Sequence, residues 1–135
     1  MLLIDTGIFV AVADRDEPHH NDCAALLRTR SDLAVTATVI PEAAWLIEAR
    51  LGPAAEARFL TLVTSSRFTI VDPINVDYQR AIALIRTYTD LGLGFVDASI
   101  IAIAEHHGIR EIATLNHRDF AVVRPAHCEA LDLVP

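Results

Sequence analysis

Three carboxylates in this sequence each stand beside an apolar segment, an uncommon place for a charge. Asp5 follows the apolar residues 2–4, while Glu42 and Asp97 lie in the opening turns of two predicted helices. Taken singly, Asp5 is explained as a helix cap, and the other two as acids that complement a helix dipole. Together, three carboxylates at one site would raise one another's pKa unless a cation neutralised them. The set therefore predicts a site for a divalent cation.

Hydrolysis of a phosphodiester is the chemistry that such a site supports. Mg²⁺ prefers oxygen ligands and commonly takes only one or two carboxylates while keeping several waters, and Mn²⁺ can substitute for it. The ion activates a water and offsets charge on the scissile phosphate, while a further carboxylate orients or deprotonates that water. A fourth polar segment, "TLNHRDF", offers Asn116 and Asp119 to the same site.

The elements that must position these side chains alternate between strand and helix. Segments with helical spacing separate five short apolar runs, "MLLI", "LAVTATV", "RFTIVDP", "EIATL" and "LDLV". This pattern is typical of an α/β protein with a parallel sheet covered on both faces, and no repeat or linker divides residues 1–135 into more than one domain. Such sheets bind ligands beyond the carboxyl ends of their strands, where Asp5 is predicted to lie.

Some local expectations can be checked directly against a structure. Asp16 is expected to cap a helix that carries Pro18 in its first turn. Trp45 is expected in the core as a large aromatic anchor. The segment at residues 75–92 is expected to be an amphipathic helix, and its spacing places on one face Tyr78, Ala81, Ile82, Ile85 and Tyr88.

Composition narrows the class of protein further. The chain has 135 residues, 53% of them hydrophobic, a net charge of -7, and only arginine among its 11 basic side chains. Without lysine, neither a Walker phosphate loop nor a receiver-type phosphoacceptor site can be built, and the acidic balance argues against non-specific coating of nucleic acid. No apolar run is long enough to span a bilayer and no basic leader precedes the chain, so we expect a cytoplasmic protein.

The ordered set of motifs resembles a known family. The PIN-domain ribonucleases, specifically the VapC toxins of type II toxin–antitoxin systems, have successive motifs similar to "LLIDTGIFVAVAD", "RDEPHHNDCAALL", "PEAAWLI", "FVDASIIAIAEHHG" and "IATLNHRDFAVVRP". The resemblance covers nearly the whole chain in the right order. It implies a three-layer PIN fold, with helices on both sides of a central parallel sheet, and Mg²⁺-dependent endonucleolytic cleavage of RNA.

The resemblance also implies roles for individual residues. Asp5, Glu42 and Asp97 match the family's three acidic positions. Asp5 and Asp97 are implied to be direct metal ligands. Thr6 matches the small hydroxyl residue after the first acid, which orients a water.

One departure from the family concerns the fourth segment. VapC proteins often have Asp where this chain has Asn116, so either Asn116 holds a water without adding charge or Asp119 substitutes for the missing acid. Whether one or two metals bind stays open with that choice. The family further implies a homodimer and a VapB-type antitoxin that blocks the acidic groove with a basic segment.

Two other functions remain in competition. The triplet Asp5-Thr6-Gly7 also carries the catalytic carboxylate of pepsin-like and retroviral proteases. Those enzymes are β-rich and bring two copies of the triplet together, whereas helical spacing dominates this sequence. A PIN domain with weakened catalysis, acting as an antitoxin- or RNA-binding module, is the second alternative, and the departure at Asn116 is the reason to consider it.

Overall fold

Five short strands form one parallel sheet in the computed structural model, which describes residues 1–135. The strands are β1 (Leu2–Ile4), β2 (Leu33–Thr36), β3 (Phe68–Val71), β4 (Glu111–Ala113) and β5 (Asp132–Val134). Their order across the sheet is β3-β2-β1-β4-β5, so the first strand of the chain occupies the centre.

Seven α-helices connect and cover these strands. They are α1 (Thr6–Ala13), α2 (His20–Thr29), α3 (Val39–Leu51), α4 (Pro53–Val63), α5 (Asn75–Thr87), α6 (Phe95–His107) and α7 (His117–Val122), with a single 3₁₀ turn at Thr89–Leu91. None of the helices is both long enough and apolar enough to cross a membrane.

The central strand shows that both faces of the sheet are covered. Leu2, Leu3 and Ile4 are all fully buried, although successive side chains on a strand point to opposite faces. On one side Phe9 of α1 packs against Phe59 and Phe68, with ring centroids 5.1 and 5.7 Å apart. The expected α/β architecture with a parallel sheet between helical layers is therefore confirmed.

The topology brings the starts of three helices to one edge of the sheet. Helices α1 and α3 follow β1 and β2, so both begin beyond the carboxyl ends of their strands. Helix α6 leads into the parallel strand β4 from the opposite direction, so its first turn lies at that same edge. Asp5, Glu42 and Asp97 belong to these three helix starts.

Two local expectations were wrong near α2 and β2. The backbone N–H of Asp16 donates to the side chain of Asp14, so Asp16 belongs to a turn; α2 begins only at His20, and Pro18 precedes it. The segment predicted as a strand through residue 39 ends at Thr36, because α3 begins at Val39.

The apolar face predicted for α5 is only partly buried. The buried residues are Asp77, Ala81 and Leu84, while Tyr78 and Ile82 remain 44% and 40% exposed. Asp77 can be buried because its carboxylate accepts from the Ile74 N–H at 2.9 Å and meets His106 of α6 at 2.9 Å. With Asp77 facing inward, part of the apolar surface of α5 faces solvent.

Candidate active site

Asp5 is the most buried carboxylate at the carboxyl edge of the sheet, with an exposed fraction of 6%. It is the N-cap residue of α1, and its Oδ1 accepts from the Thr6 N–H at 2.7 Å. Its Oδ2 accepts from the Thr114 hydroxyl at 2.7 Å. The structural role as a cap and the proposed chemical role therefore fall on the same side chain.

Pairing between β1 and β4 explains the bond to Thr114. Ile4 and Ala113 are opposite each other in the register, so Asp5 and Thr114 are neighbours one residue beyond the two strands. The Asn116 N–H donates to the Thr114 hydroxyl oxygen at 3.0 Å. The hydroxyl proton of Thr114 is consequently available for Asp5, and three segments are linked at this edge.

An open cavity of about 470 Å³ collects the predicted acids. Its lining includes the predicted residues Asp5, Thr6, Glu42, Asp97 and Asn116. The structure thus brings all three acidic positions to one space, together with the residue that departs from the family pattern. Asp119 does not line the cavity.

Asn116 and Asp119 form a local pair at the start of α7. The side-chain amide of Asn116 donates to Asp119 Oδ2 at 2.9 Å, and its Oδ1 accepts from the Asp119 N–H at 3.4 Å. Asn116 is the N-cap of α7, so its amide is engaged in helix capping as well as facing the cavity.

Burial and mutual repulsion make Asp5 and Asp97 reluctant to ionise. Burial raises the pKa of Asp5, hydrogen bonds from Thr114 and Thr6 oppose that rise, and the charge of Glu42 adds to it. Burial raises the pKa of Asp97 to about 7, with further contributions from the negative charges of Asp5, Glu42 and Asp119. A cation in the cavity would favour the ionised form of both groups.

The donor set fits a hard divalent cation bound largely through water. No three or more His, Cys, Asp and Glu side chains form a compact metal-binding group, so a complete coordination shell made by protein is absent. A site for Mg²⁺ needs only one or two carboxylates. The buried hydroxyl oxygen of Thr6, a residue of the cavity lining, also lacks any hydrogen-bond partner within the chain, so an unsatisfied oxygen lies beside Asp5.

Two charged residues of the cavity were missed by the sequence reasoning. Glu17 enters from the loop between α1 and α2, where no periodic pattern could have indicated it. Arg50 follows Glu42 and Leu46 at steps of four residues along α3, and all three line the cavity. That helical spacing was the signal that could have found Arg50.

Trp45 contradicts the expectation that it belongs to the core. Its side chain is 67% exposed on α3, whose buried face is formed by Val39, Ala43 and Ile47. Ala43 and Ile47 are four residues apart on the face of α3 that packs against the core. Trp45 stands between them in sequence and so lies on a different face, toward solvent.

A parallel sheet with an acid-lined cavity at its carboxyl edge has the cavity where α/β proteins bind their ligands. The sequence profile of the family described as "PIN domain" matches residues 2–124. The chain belongs to the PIN domain family, as its motifs predicted.

Individual relatives agree with that assignment over almost the entire chain. Ribonuclease VapC26 of Mycobacterium tuberculosis is 26% identical over 135 residues, which cover 99% of this chain and 100% of that protein. Mycobacterium tuberculosis VapC20, a toxin that cleaves the sarcin-ricin loop, superposes with a TM-score of 0.82 at 16% identity, over 88% of this chain and 92% of the other.

Solved toxin–antitoxin complexes have the same fold. A complex from Klebsiella pneumoniae contains a chain with a TM-score of 0.71 and 23% identity, covering 100% of this chain and 97% of that one. VapBC2 from Rickettsia felis, bound to a DNA fragment from its promoter, contains a chain with a TM-score of 0.70 and 18% identity. The match covers 98% of this chain and 96% of that one. These likenesses support the three-layer PIN fold.

Proposed function

We propose that this chain is a Mg²⁺-dependent endoribonuclease, the toxin component of a type II toxin–antitoxin system, and that it acts in the cytoplasm. The observation that carries the proposal is the convergence of Asp5, Glu42 and Asp97 on one cavity at the carboxyl edge of a PIN-domain sheet. The full-length similarity to a ribonuclease supports RNA as the substrate.

Asp5 and Asp97 are the residues that would hold the cation, and Mn²⁺ would substitute for Mg²⁺ in the same oxygen site. When bound, the cation supplies activation of a water and neutralisation of charge on the scissile phosphate. Asp5 is fixed for this role by its bonds to Thr114 and to the Thr6 N–H. Asp97 carries a proton at low pH and releases it above a pKa of about 7, which makes ligand binding sensitive to pH.

The remaining residues would orient and deprotonate the attacking water. Glu42 faces the cavity from the first turn of α3 and is assigned as the acceptor of the water proton. The unpartnered hydroxyl of Thr6 and the amide of Asn116 position water or substrate. Asp119 supports the fourth position through its hydrogen bond with Asn116 and through its charge, which acts on Asp97.

The antitoxin would cover two adjacent cavities. A second cavity, of about 580 Å³, lies between α1, α4 and the end of α3 and is lined mainly by apolar side chains, among them Phe9, Val12, Leu51, Phe59 and Leu62. Both cavities border α1 and α3. An apolar helix of the antitoxin suits the second cavity, while a basic segment of the same partner reaches the acidic one.

A homodimer would use the apolar surface that α5 leaves exposed. Tyr78 stacks on Phe95 with ring centroids 5.8 Å apart, and Ile74 and Ile82 extend this surface by one helical turn on either side. These side chains are 40% to 54% exposed, and burial against a second copy is favourable. Light scattering should give the mass of a dimer for the wild type and of a monomer for Tyr78→Arg.

The alternatives make different predictions for the same preparation. An aspartic protease needs a β-rich dimer, whereas seven helices surround five strands of three or four residues here. A binding module with weakened catalysis would retain RNA or antitoxin binding without cleavage. The reason to test this second possibility is that Asn116, which brings no charge, faces the cavity, while the nearby acid Asp119 is hydrogen-bonded to it and does not line the cavity.

The test is incubation of antitoxin-free protein with RNA, with Mg²⁺, with Mn²⁺ and with a chelator. Cleavage should require the metal and should fall by at least about a hundredfold in Asp5→Asn and Asp97→Asn. Asp22→Asn is the matched control, because Asp22 is also a first-turn acid but lies exposed on α2. Metal-independent cleavage, or equal activity of Asp97→Asn and the control, would contradict the assignment.

A further inference from the structure

Arg50 shares the acidic cavity with four carboxylates and yet forms no ion pair. The four are Asp5, Glu17, Glu42 and Asp97, all of which line the same space. Every ion pair of the chain that involves arginine uses Arg30, Arg80 or Arg110. Arg50 is therefore an unpaired cation at an anionic cavity, and no ion pair accounts for its position.

The position of Arg50 on α3 places it to one side of the acids. Glu42, Leu46 and Arg50 follow at four-residue steps on one face, so the Cα atoms of Glu42 and Arg50 are about 12 Å apart along the helix axis. Helical side chains lean toward the N-terminus of their helix, so the Arg50 side chain is directed back along the cavity toward Glu42. Arg50 is exposed and lines the cavity two helical turns beyond Glu42.

A cation at the cavity answers an electrostatic problem of the site. The cavity has carboxylates on several sides, and an approaching polyanion is repelled except where a positive group faces it. Guanidinium is the side-chain group that best matches a phosphate, because its planar fork donates two parallel hydrogen bonds. Arg50 is the basic side chain that this chain contributes to the acidic cavity.

We propose that Arg50 is a substrate-positioning residue that binds a backbone phosphate next to the scissile one in single-stranded RNA. The inference rests on the proposed ribonuclease function and adds a contact outside the acidic positions. It assigns to Arg50 a share of substrate binding, whereas the acids and the cation act on the scissile phosphate.

A matched control variant separates phosphate binding by Arg50 from a purely structural role of its charge in α3. Arg50 lies in the last turn of α3, where a cation complements the helix dipole. Arg28 lies in the last turn of α2, is also exposed, and lines neither of the two cavities described above. Arg28→Ala therefore loses the same dipole interaction without losing a phosphate contact.

The experiment measures binding of a fluorescent single-stranded RNA in Mg²⁺ at several salt concentrations. A Glu42→Gln background keeps both proposed metal ligands and prevents cleavage, so that affinity is measured directly. Arg50→Ala should weaken binding about tenfold, and Arg28→Ala less than about twofold. The slope of log affinity against log salt should become shallower by about 0.7 in Arg50→Ala only, as expected for the loss of one phosphate contact to a single strand.

A conservative variant and the cleavage reaction complete the test. Arg50→Lys should keep the salt slope and recover part of the affinity, because it keeps the charge and loses the fork. In the otherwise wild-type protein, Arg50→Ala should raise KM about tenfold and change kcat less than about threefold, since the contact holds substrate and transition state equally.

The outcomes separate this inference from the function on which it rests. Equal affinity and equal salt slope in Arg50→Ala and Arg28→Ala would overturn the role of Arg50, even if the wild type cleaves RNA. RNA binding that depends on Arg50 without any cleavage by the wild type would support Arg50 and contradict the nuclease. A protein that neither binds nor cleaves RNA would overturn both.

Discussion

Thr114 donates a hydrogen bond of 2.7 Å to Oδ2 of Asp5, although 109 residues separate the two in the chain. The bond stabilises the charged carboxylate and so lowers the pKa of Asp5, in opposition to burial, which raises it. Because the Thr114 oxygen accepts from the Asn116 N–H, the direction of the hydroxyl proton is fixed. Thr114 therefore fixes the orientation of Asp5 and favours its ionised form, which is the form that the proposed metal site needs.

Thr114→Val tests this support with a side chain of nearly the same shape. The variant leaves a buried carboxylate oxygen without its donor, which should cost about 1–3 kcal/mol of stability. It should also raise the pKa of Asp5, so the acid limb of the activity profile should move to higher pH. Thr114→Ser keeps the hydroxyl and is the control. Identical pH profiles for the two variants would show that the hydroxyl does not tune Asp5.

The sequence predicted those candidate site residues whose position depends only on neighbouring residues in the chain. Asp5 was placed at a sheet edge because an apolar strand precedes it and a helix follows it, and both lie within ten residues of it. Thr114 was not found, because its role depends on the pairing of β1 with β4 across the sheet. Glu17 was not found because it stands in a loop without periodicity.

The buried face of α5 shows the same limit in a different way. Apolar spacing selected Tyr78 and Ile82, but the helix buries Asp77 instead. A carboxylate is acceptable there because His106, 29 residues away, and the Ile74 N–H satisfy it. Local patterning cannot anticipate a polar group that is buried through a partner from another helix.

Asp97→Asn should remove a pH-dependent loss of stability in the metal-free protein. The pKa of Asp97 is about 7 in the folded chain and 3.8 without the fold, so between these values the folded state binds more protons. Stability that is fully present below pH 3.8 is therefore lost as pH rises through about 7. Asparagine does not titrate, so the variant should be more stable above pH 7, by on the order of 1–2 kcal/mol after allowance for solvent screening.

Denaturant unfolding at several pH values in a chelator measures this effect. The wild type should lose stability between about pH 4 and 7, and Asp97→Asn should lose less. Asp22→Asn, from the exposed first turn of α2, should follow the wild type. Lower stability of Asp97→Asn at pH 8 would favour a purely structural role for Asp97 as an acid that complements the α6 dipole.

Binding of Mg²⁺ should release protons at neutral pH. With a pKa of about 7, Asp97 is partly protonated in the metal-free protein, and a cation must displace that proton. Affinity should therefore increase as pH rises from about 6 to 8. Calorimetry in buffers of different ionisation enthalpy measures the number of protons released, which should fall to near zero by pH 8.5. A pH-independent affinity would mean that Asp97 is not a ligand.

Asn116→Asp tests why this chain departs from the acid often found at that position in the family. The change removes the amide that donates to Asp119 Oδ2 at 2.9 Å and places a second carboxylate beside the first. We expect a loss of about 1–2 kcal/mol of stability at pH 7 without metal, together with tighter Mg²⁺ binding because a charged ligand now faces the cavity. In Asn116→Asp/Asp119→Asn the amide and carboxylate exchange places, so most of the lost stability should return while the tighter metal binding is kept.

Thermal melts with and without Mg²⁺ for the wild type, both single variants and the double variant give the coupling energy between the two positions. Additive effects would show that the pair does not act as a unit, and unchanged Mg²⁺ affinity in Asn116→Asp would exclude position 116 from the metal site.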